Sequence, residues 1–287
     1  SWYERDASSG ALTWRGVLKN DQGGVDGLYS AGELVVSNDG YFIYVTAYDD
    51  DAVSWYQRDP VSGALTWLGM VKDAIGGVDG IDGASDILLS PDDQFLYVTG
   101  QVDSAIACFE RNQTSGSLAY LGTYRDGANG MDGLGAVTSI ASTPDGSTIY
   151  VTSQHDHSLA WFERNATTGQ LTFRNIFRNG EQGSQHLNST SGAEVSEDGK
   201  HLYCIGLKPD GNFTINLFAL DPFTGDPTYR GSNSVIKNGE NLLDGLWGFS
   251  LSGDGRNLYA SSSTYASITW LARDYMQGTL SHGTAKG

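Results

Sequence analysis

The chain has 287 residues, 38 of them glycine, with 11% aromatic and only 18% charged residues, a composition that suits short strands joined by tight turns and not helices. Its formal net charge of −17 argues against binding to nucleic acid or to an anionic membrane surface. No run of about 18 apolar residues occurs, so no transmembrane helix and no membrane insertion are expected.

The amino-terminal Ser1-Trp2-Tyr3-Glu4-Arg5 carries no signal-peptide pattern and opens inside a repeat, so the chain reads as a processed or partial product. The repeat shows first in one strand pattern. Phe42-Ile43-Tyr44-Val45-Thr46 follows the turn Ser37-Asn38-Asp39-Gly40. Phe95 to Thr99 follows Ser90-Pro91-Asp92-Asp93, and Thr148 to Thr152 follows Thr143-Pro144-Asp145-Gly146. Shorter copies are His201-Leu202-Tyr203-Cys204 and Asn257-Leu258-Tyr259-Ala260. A second anchor series, Trp2, Trp55, Cys108, Trp161, Leu217 and Trp270, is spaced by 53, 53, 53, 56 and 53 residues. A period of about 50 residues holding four short strands, a to d, is the grammar of propeller blades.

In chain order the pattern predicts an all-β propeller of four-stranded antiparallel blades in a single domain. A c–d half blade covers residues 1–18, and full blades cover about 28–72, 81–125, 133–178, 190–231 and 246–283. Between strands a and b, Asp-Gly or Asp-Asp suits a tight hairpin. Between c and d, the five-residue turns Asp6–Gly10, Asp59–Gly63, Asn112–Gly116, Asn165–Gly169 and Asp221–Gly225 place an Asx side chain to cap the backbone and a glycine to turn left-handed. The strand-b tyrosines at 44, 97, 150, 203 and 259 hold one register and are expected to pack each blade on the next.

Strand c occurs six times and strand b five times, so an a–b pair is missing. Completed, the ring would have six blades. The expectation is that residues beyond Gly287 or a second subunit supply the pair, since an open edge would template aggregation. The expected partner is therefore the protein itself, through strand complementation in a homo-oligomer or polymer.

The segments Ser90-Pro91-Asp92-Asp93-Gln94-Phe95-Leu96-Tyr97-Val98-Thr99 and Thr114-Ser115-Gly116-Ser117-Leu118 resemble the YVTN-type β-propeller repeat. That repeat is found in 6-phosphogluconolactonase-like lactonases and in surface-layer propellers. The resemblance implies a propeller and admits a lactonase activity. A Gly/Asp-rich insert lengthens the period here, and no set of lactonase catalytic residues carries over position by position.

The first candidate site is that insert, Gly-Gly-Val-Asp-Gly around Asp26 and Asp79, Asn-Gly-Met-Asp-Gly around Asp132, and more loosely Leu-Asp-Gly at Asp244. These aspartates are expected to ring one mouth of the central channel, where carboxylates could hold Ca²⁺. The competing reading is a turn whose carboxylate caps local amides. No cofactor is required by either reading.

The second candidate is the break in the repeat at His155-Asp156-His157 and at Glu181-Gln182-Gly183-Ser184-Gln185-His186. His155, His157 and His186 could converge to bind Zn²⁺ or Cu²⁺, or one of them could serve as general base for lactone hydrolysis. The competing reading is drift of surface loops, with Asp51, Asp103 and Asp156 sharing one turn slot.

Two recurrent features read as structural first. Glu4-Arg5, Gln57-Arg58, Glu110-Arg111 and Glu163-Arg164 on strand c suggest pairing between blades. Trp14, Trp67, Tyr120, Phe173 and Tyr229 on strand d either pack on the neighbouring strand or form a rim that contacts glycans or subunits. Cys108 and Cys204 read as buried thiols, and Asn112, Asn165, Asn188 and Asn212 are glycosylation sequons that hint at secretion.

Two functions follow. One is a non-catalytic propeller of the extracellular space or cell surface, with a structural, self-assembly or adhesion role. The alternative is a lactonase-like hydrolase acting on a small sugar lactone.

Overall fold

The computed structural model describes residues 1–181, 183–237 and 240–282. Gln182, residue 283 at the expected end of the fifth blade, and Gly287 lie outside them. All regular structure among the described residues is β-strand, and no helix long and apolar enough to cross a membrane is present.

Two compact units divide the chain, Ser1–Arg125 and Asp126–Gly287. The first unit opens with a two-stranded sheet, β1 (Trp2–Arg5) and β2 (Leu12–Gly16). Its first full blade is β3 (Ala31–Val36), β4 (Phe42–Ala47), β5 (Ala52–Arg58) and β6 (Leu65–Lys72). Its second is β7 (Ala84–Leu89), β8 (Phe95–Gly100), β9 (Ala105–Arg111) and β10 (Leu118–Arg125).

The second unit holds the third blade, β11 (Val137–Ser142), β12 (Thr148–Ser153), β13 (Ser158–Arg164) and β14 (Leu171–Arg178). The fourth is β15 (Asn188–Val195), β16 (His201–Leu207), β17 (Phe213–Leu220) and β18 (Pro227–Asn233). A short pair, β19 (Ile236–Lys237) and β20 (Glu240–Asn241), precedes the fifth blade of β21 (Leu246–Leu251), β22 (Asn257–Ser262), β23 (Ser267–Arg273) and β24 (Leu280–His282). Every blade is an antiparallel meander in sequence order. The described chain is thus five full blades and a half blade of a β-propeller, as the repeat predicts.

The predicted turn chemistry is present. Asp6 Oδ1 accepts the amides of Ser8 and Ser9 at 2.9 and 2.7 Å, and Asn112 Oδ1 accepts those of Thr114 and Ser115, both at 2.9 Å. Gly116, which closes that turn, has φ +74°, a conformation that costs a residue with a Cβ about 1 kcal/mol or more. In the a–b turns Asp93 stands where the four other copies have glycine, and it keeps the left-handed φ of +62°.

Blades are joined by a repeated latch. Tyr44 on β4 donates its hydroxyl to the Gly116 carbonyl of the next blade at 2.8 Å and accepts from Arg111 Nε at 2.6 Å. In the second unit Tyr203 does the same with Gly278 and Arg273 at 2.6 and 2.9 Å. Tyr150 reaches Gly225 at 2.5 Å, but Leu220 replaces the arginine there. Each arginine also caps the a–b turn of its own blade, Arg58 on the Gly40 carbonyl at 3.1 Å and Arg273 on Gly255 at 2.9 Å. Arg111 and Arg273 on strand c therefore pair between blades, whereas Arg58 bonds within its own. Their glutamate neighbours face outward and pair within the blade, Glu4 with Arg15 and Glu163 with Arg174.

The first strand of each blade is the inner one, since β3 packs on β7 and β11 on β15. Tyr44, Tyr150 and Tyr203 are wholly buried between blades, with Leu96, Val98, Phe109, Leu202 and Phe218. Among the outer-strand aromatics Tyr120 packs on Phe109, Phe173 on Phe162 and Tyr229 on Phe218, while Trp14 is 58% exposed. Cys108 and Cys204 are buried and unbridged.

Candidate functional site

At one end of each blade the d-to-a connection meets the b-to-c loop, and three sets of acceptors hold the two together. An Asx residue at the start of each connection accepts the amide eight residues on. Asn20 holds Leu28 at 2.9 Å, Asp73 holds Ile81 at 3.1 Å, Asp126 holds Leu134 at 2.9 Å and Asn179 holds Leu187 at 2.9 Å. A b-to-c loop aspartate then accepts the next amide, with Asp50 on Tyr29, Asp103 on Asp82 and Asp156 on Gly135 at 2.7, 3.1 and 2.6 Å. The shared slot is thus Asp50, Asp103 and Asp156. Asp51 lies one position on, where it accepts the Gly83 amide of the following blade at 2.9 Å.

His157 falls in the slot of Asp51, and its Nδ1 accepts the Ser189 amide of the following blade at 3.0 Å. An imidazole here does the work of a carboxylate. His186 Nδ1 is 2.7 Å from Ser232 Oγ, and burial, with Lys208 nearby, holds its pKa below the usual range. His155 is exposed. No group of ligand atoms lying within 4.8 Å of one another includes a histidine among the described residues, so the structure does not bring these three imidazoles together.

The insert aspartates are engaged by arginines or by their own turns. Asp79 pairs with Arg125 at 2.8 Å and Asp132 with Arg178. Both arginines stand at the ends of outer strands. Asp73, Asp79 and Asp103, and likewise Asp126, Asp132 and Asp156, bring carboxylate oxygens within 4.8 Å of one another. Arg125 sits among the first group, bonding Asp103 at 2.7 Å as well as Asp79, and so already supplies the positive charge that a cation would bring. Asp26 bonds the neighbouring Gly27 amide. Asp244 belongs to another register. Leu246 pairs with Ser262 as Ala84 pairs with Gly100, which aligns Asp244 with Asp82, and it accepts from Asn241 Nδ2 at 2.7 Å.

Asn112 and Asn165 are exposed, each with Oδ1 engaged in its own turn. Asn188 on β15 accepts from Asn179 Nδ2, and Asn212 is half-buried.

The chemically distinctive group lies on the inner strands of the first unit. Asp82, half-buried at the entry to β7, has its pKa raised, first by desolvation, then by the charges of Asp51 and Asp103, and by a hydrogen bond shared with Asp51. Glu33 on β3 is also raised, by desolvation and then by Asp86 on β7. A carboxyl whose proton affinity is raised beside a second carboxyl is the disposition that acid–base catalysis uses. Sequence reasoning missed these residues. The available signal was variation, because the slot of Asp82 holds Tyr29, Gly135 and Asn188 in three other blades and returns to aspartate at Asp244 in the fifth.

The sequence matches the family model described as "Lactonase, 7-bladed beta-propeller" over residues 1–132 and 71–184, which together span more than half of the chain. The chain belongs to this family. The family description gives seven blades, one more than the repeat count suggests. No match was found among curated proteins.

Solved structures share the lactonase propeller fold at low identity. A protein from Lactobacillus plantarum is 18% identical, with a TM-score of 0.71 over 88% of this chain and 70% of its own. A candidate 6-phosphogluconolactonase of Bacteroides uniformis is 18% identical, with a TM-score of 0.59 over 87% and 82%. The periplasmic gluconolactonase of Pseudomonas aeruginosa is 18% identical, with a TM-score of 0.57 over 97% and 89%. At this identity the likeness shows the fold. The family match favours the hydrolase expectation, and none of these comparisons supports the non-catalytic surface role.

Proposed function

We propose that the chain is a lactone hydrolase acting on a small sugar lactone. The observation that carries this is the Asp51–Asp82 carboxyl pair where the b-to-c loop of the first full blade meets the entry to β7, in a chain of the lactonase family. The Asp51 carboxylate takes a proton from water as the water oxygen bonds to the lactone carbonyl carbon. The Asp82 carboxyl then gives its proton to the ring oxygen as the acyl C–O bond breaks. The product is the open hydroxy acid, and one proton passing from Asp51 to Asp82 resets the pair. Burial, then the charges of Asp51 and Asp103, raises the proton affinity of Asp82 and favours its role as the acid.

The test is hydrolysis of glucono-1,5-lactone and of its 6-phosphate, followed by acid release at constant pH. Loss of activity in both Asp51→Asn and Asp82→Asn, with the thermal transition retained, is the expected result. Full activity in both variants would remove the pair from the mechanism.

A further inference from the structure

At two seams the guanidinium of a strand-c arginine sits in a cradle built from neighbouring turns. Between the first and second full blades, Arg111 Nη1 donates to the Asp93 carbonyl of its own a–b turn at 3.2 Å and Nε to the Tyr44 hydroxyl at 2.6 Å. Its Nη2 faces Asp39 Oδ2 of the preceding blade at 3.8 Å. Between the fourth and fifth blades, Arg273 repeats this with the Gly255 carbonyl, Tyr203 and Asp198 at 2.9, 2.9 and 3.2 Å.

The seam between the third and fourth blades keeps the cradle but places Leu220 at the arginine position, buried with Tyr150, Leu202 and Phe218. A cavity of about 290 Å³ opens among the turns, lined by Asp145, Glu197, Asp198, Gly199, Phe223 and Gly225 among others. In register, Asp145 is the counterpart of Asp39, Gly199 of Asp93 and Gly225 of Gly116. Asp145 spends Oδ1 on its own turn, accepting from Thr143 Oγ1 at 2.6 Å and from the Ser147 amide and hydroxyl at 3.0 and 2.8 Å, as Asp39 does with Ser37 and Tyr41. The second oxygen of Asp39 faces Arg111, whereas among the described residues no cation pairs with Asp145. Lys200 also lines the cavity, but its ammonium lies over the Tyr275 ring, 5.0 Å from the centroid. Phe223, 94% exposed, offers a free ring to a planar cation.

We infer that this cavity is a binding site for an alkylguanidinium, the head group of an arginine brought by another molecule. Its nitrogens donate to the Gly199 carbonyl, the Tyr150 hydroxyl and the Asp145 carboxylate, whose counterparts at the other two seams take an arginine of this chain. An ammonium lacks the planar fork that can meet these acceptors together. Anions are disfavoured by Asp145 and Glu197 on the wall.

The test is isothermal titration of the full chain with acetyl-arginine amide. Saturable binding at one site is expected, with acetyl-lysine amide about tenfold weaker. Leu220→Arg supplies a guanidinium from the chain itself, so it should abolish binding and raise the thermal midpoint. Asp145→Asn keeps an oxygen for the turn but removes the charge, and should weaken binding about tenfold with the thermal transition retained. That second variant decides the matter even if Leu220→Arg fails to fold. No saturable binding, or binding that Asp145→Asn leaves unchanged, overturns the site. Equal binding of the lysine compound overturns the guanidinium as its ligand. Free L-arginine in the same titration separates the sources. Weaker binding than the amide assigns the site to arginine within a peptide chain, and equal binding assigns it to the free amino acid, the site standing in both cases.

Discussion

Arg273 Nη2 donates to Nδ1 of the buried His201 at 2.7 Å, and the same guanidinium contacts Asp198 at 3.2 Å. At the corresponding latch of the first unit, Phe42 occupies the histidine position. Arg111 lies over its ring, 5.2 Å from the centroid, and its Nη2 makes no hydrogen bond, with only the Asp39 carboxylate at 3.8 Å. The neutral imidazole is an acceptor that the arginine can use, and protonation would remove it.

A pH dependence follows. Burial, then the Arg273 charge, lowers the His201 pKa from its ordinary 6.5. The unfolded chain therefore binds this proton more readily than the folded one. Stability is full above about pH 6.5 and falls as pH drops through the interval below it, down to the folded-state value. His201→Phe, copying Phe42, should flatten that acid-side loss when thermal midpoints are compared from pH 7.5 to 5. An unchanged slope would show that His201 is not the group responsible.

The tyrosine latches should differ in strength. Tyr203→Phe removes one bond to a carbonyl and one to a guanidinium, and a loss of about 1.5–3 kcal/mol is expected from urea midpoints. Tyr150→Phe removes only the bond to Gly225 and should cost about 1 kcal/mol. Equal losses would mean that the arginine adds nothing to the seam.

For the proposed chemistry, Asp82→Asn should lower kcat by about 10²–10⁴ while leaving or raising the thermal midpoint, because a half-buried carboxyl among Asp51, Asp73 and Asp103 is replaced by a neutral group. The proposed acid must be protonated to act. Activity should therefore fall as pH rises through a limb lying above the ordinary carboxylate value of 3.8. A rate independent of pH in that range would contradict the assignment.

His157→Asp should preserve the loop, since Asp51 performs the same task two seams earlier, whereas His157→Leu should lose about 1 kcal/mol and speed amide exchange at Ser189. If both variants behave alike, the contact contributes nothing.

Much of the fold was legible in the sequence because turn chemistry and the strand-c anchors are periodic, and periodicity reports architecture. Asp6, Asn112 and Gly116 do what their spacing suggested. The site was harder to read. Asp79 and Asp132 recur, which made them conspicuous, yet recurrence came from a shared pairing with Arg125 and Arg178. Asp82 was hidden because its character arises from Asp51 and Asp103, one blade back and one loop away, and only the fold brings those charges together. The histidines drew notice by rarity, but His157 stands in for an aspartate and His186 is bonded to a serine.

Leu220 in place of a latch arginine makes the blade interfaces unequal. Between the third and fourth blades Tyr150 holds a single carbonyl, and a cavity of about 290 Å³ opens there beside Asp145, Asp198 and Phe223. Between the fourth and fifth blades a buried guanidinium ties the tyrosine, an aspartate and a histidine together. Under a pulling force the second unit should yield first at the seam without the cation, so that a mechanical fuse is written into it by one leucine.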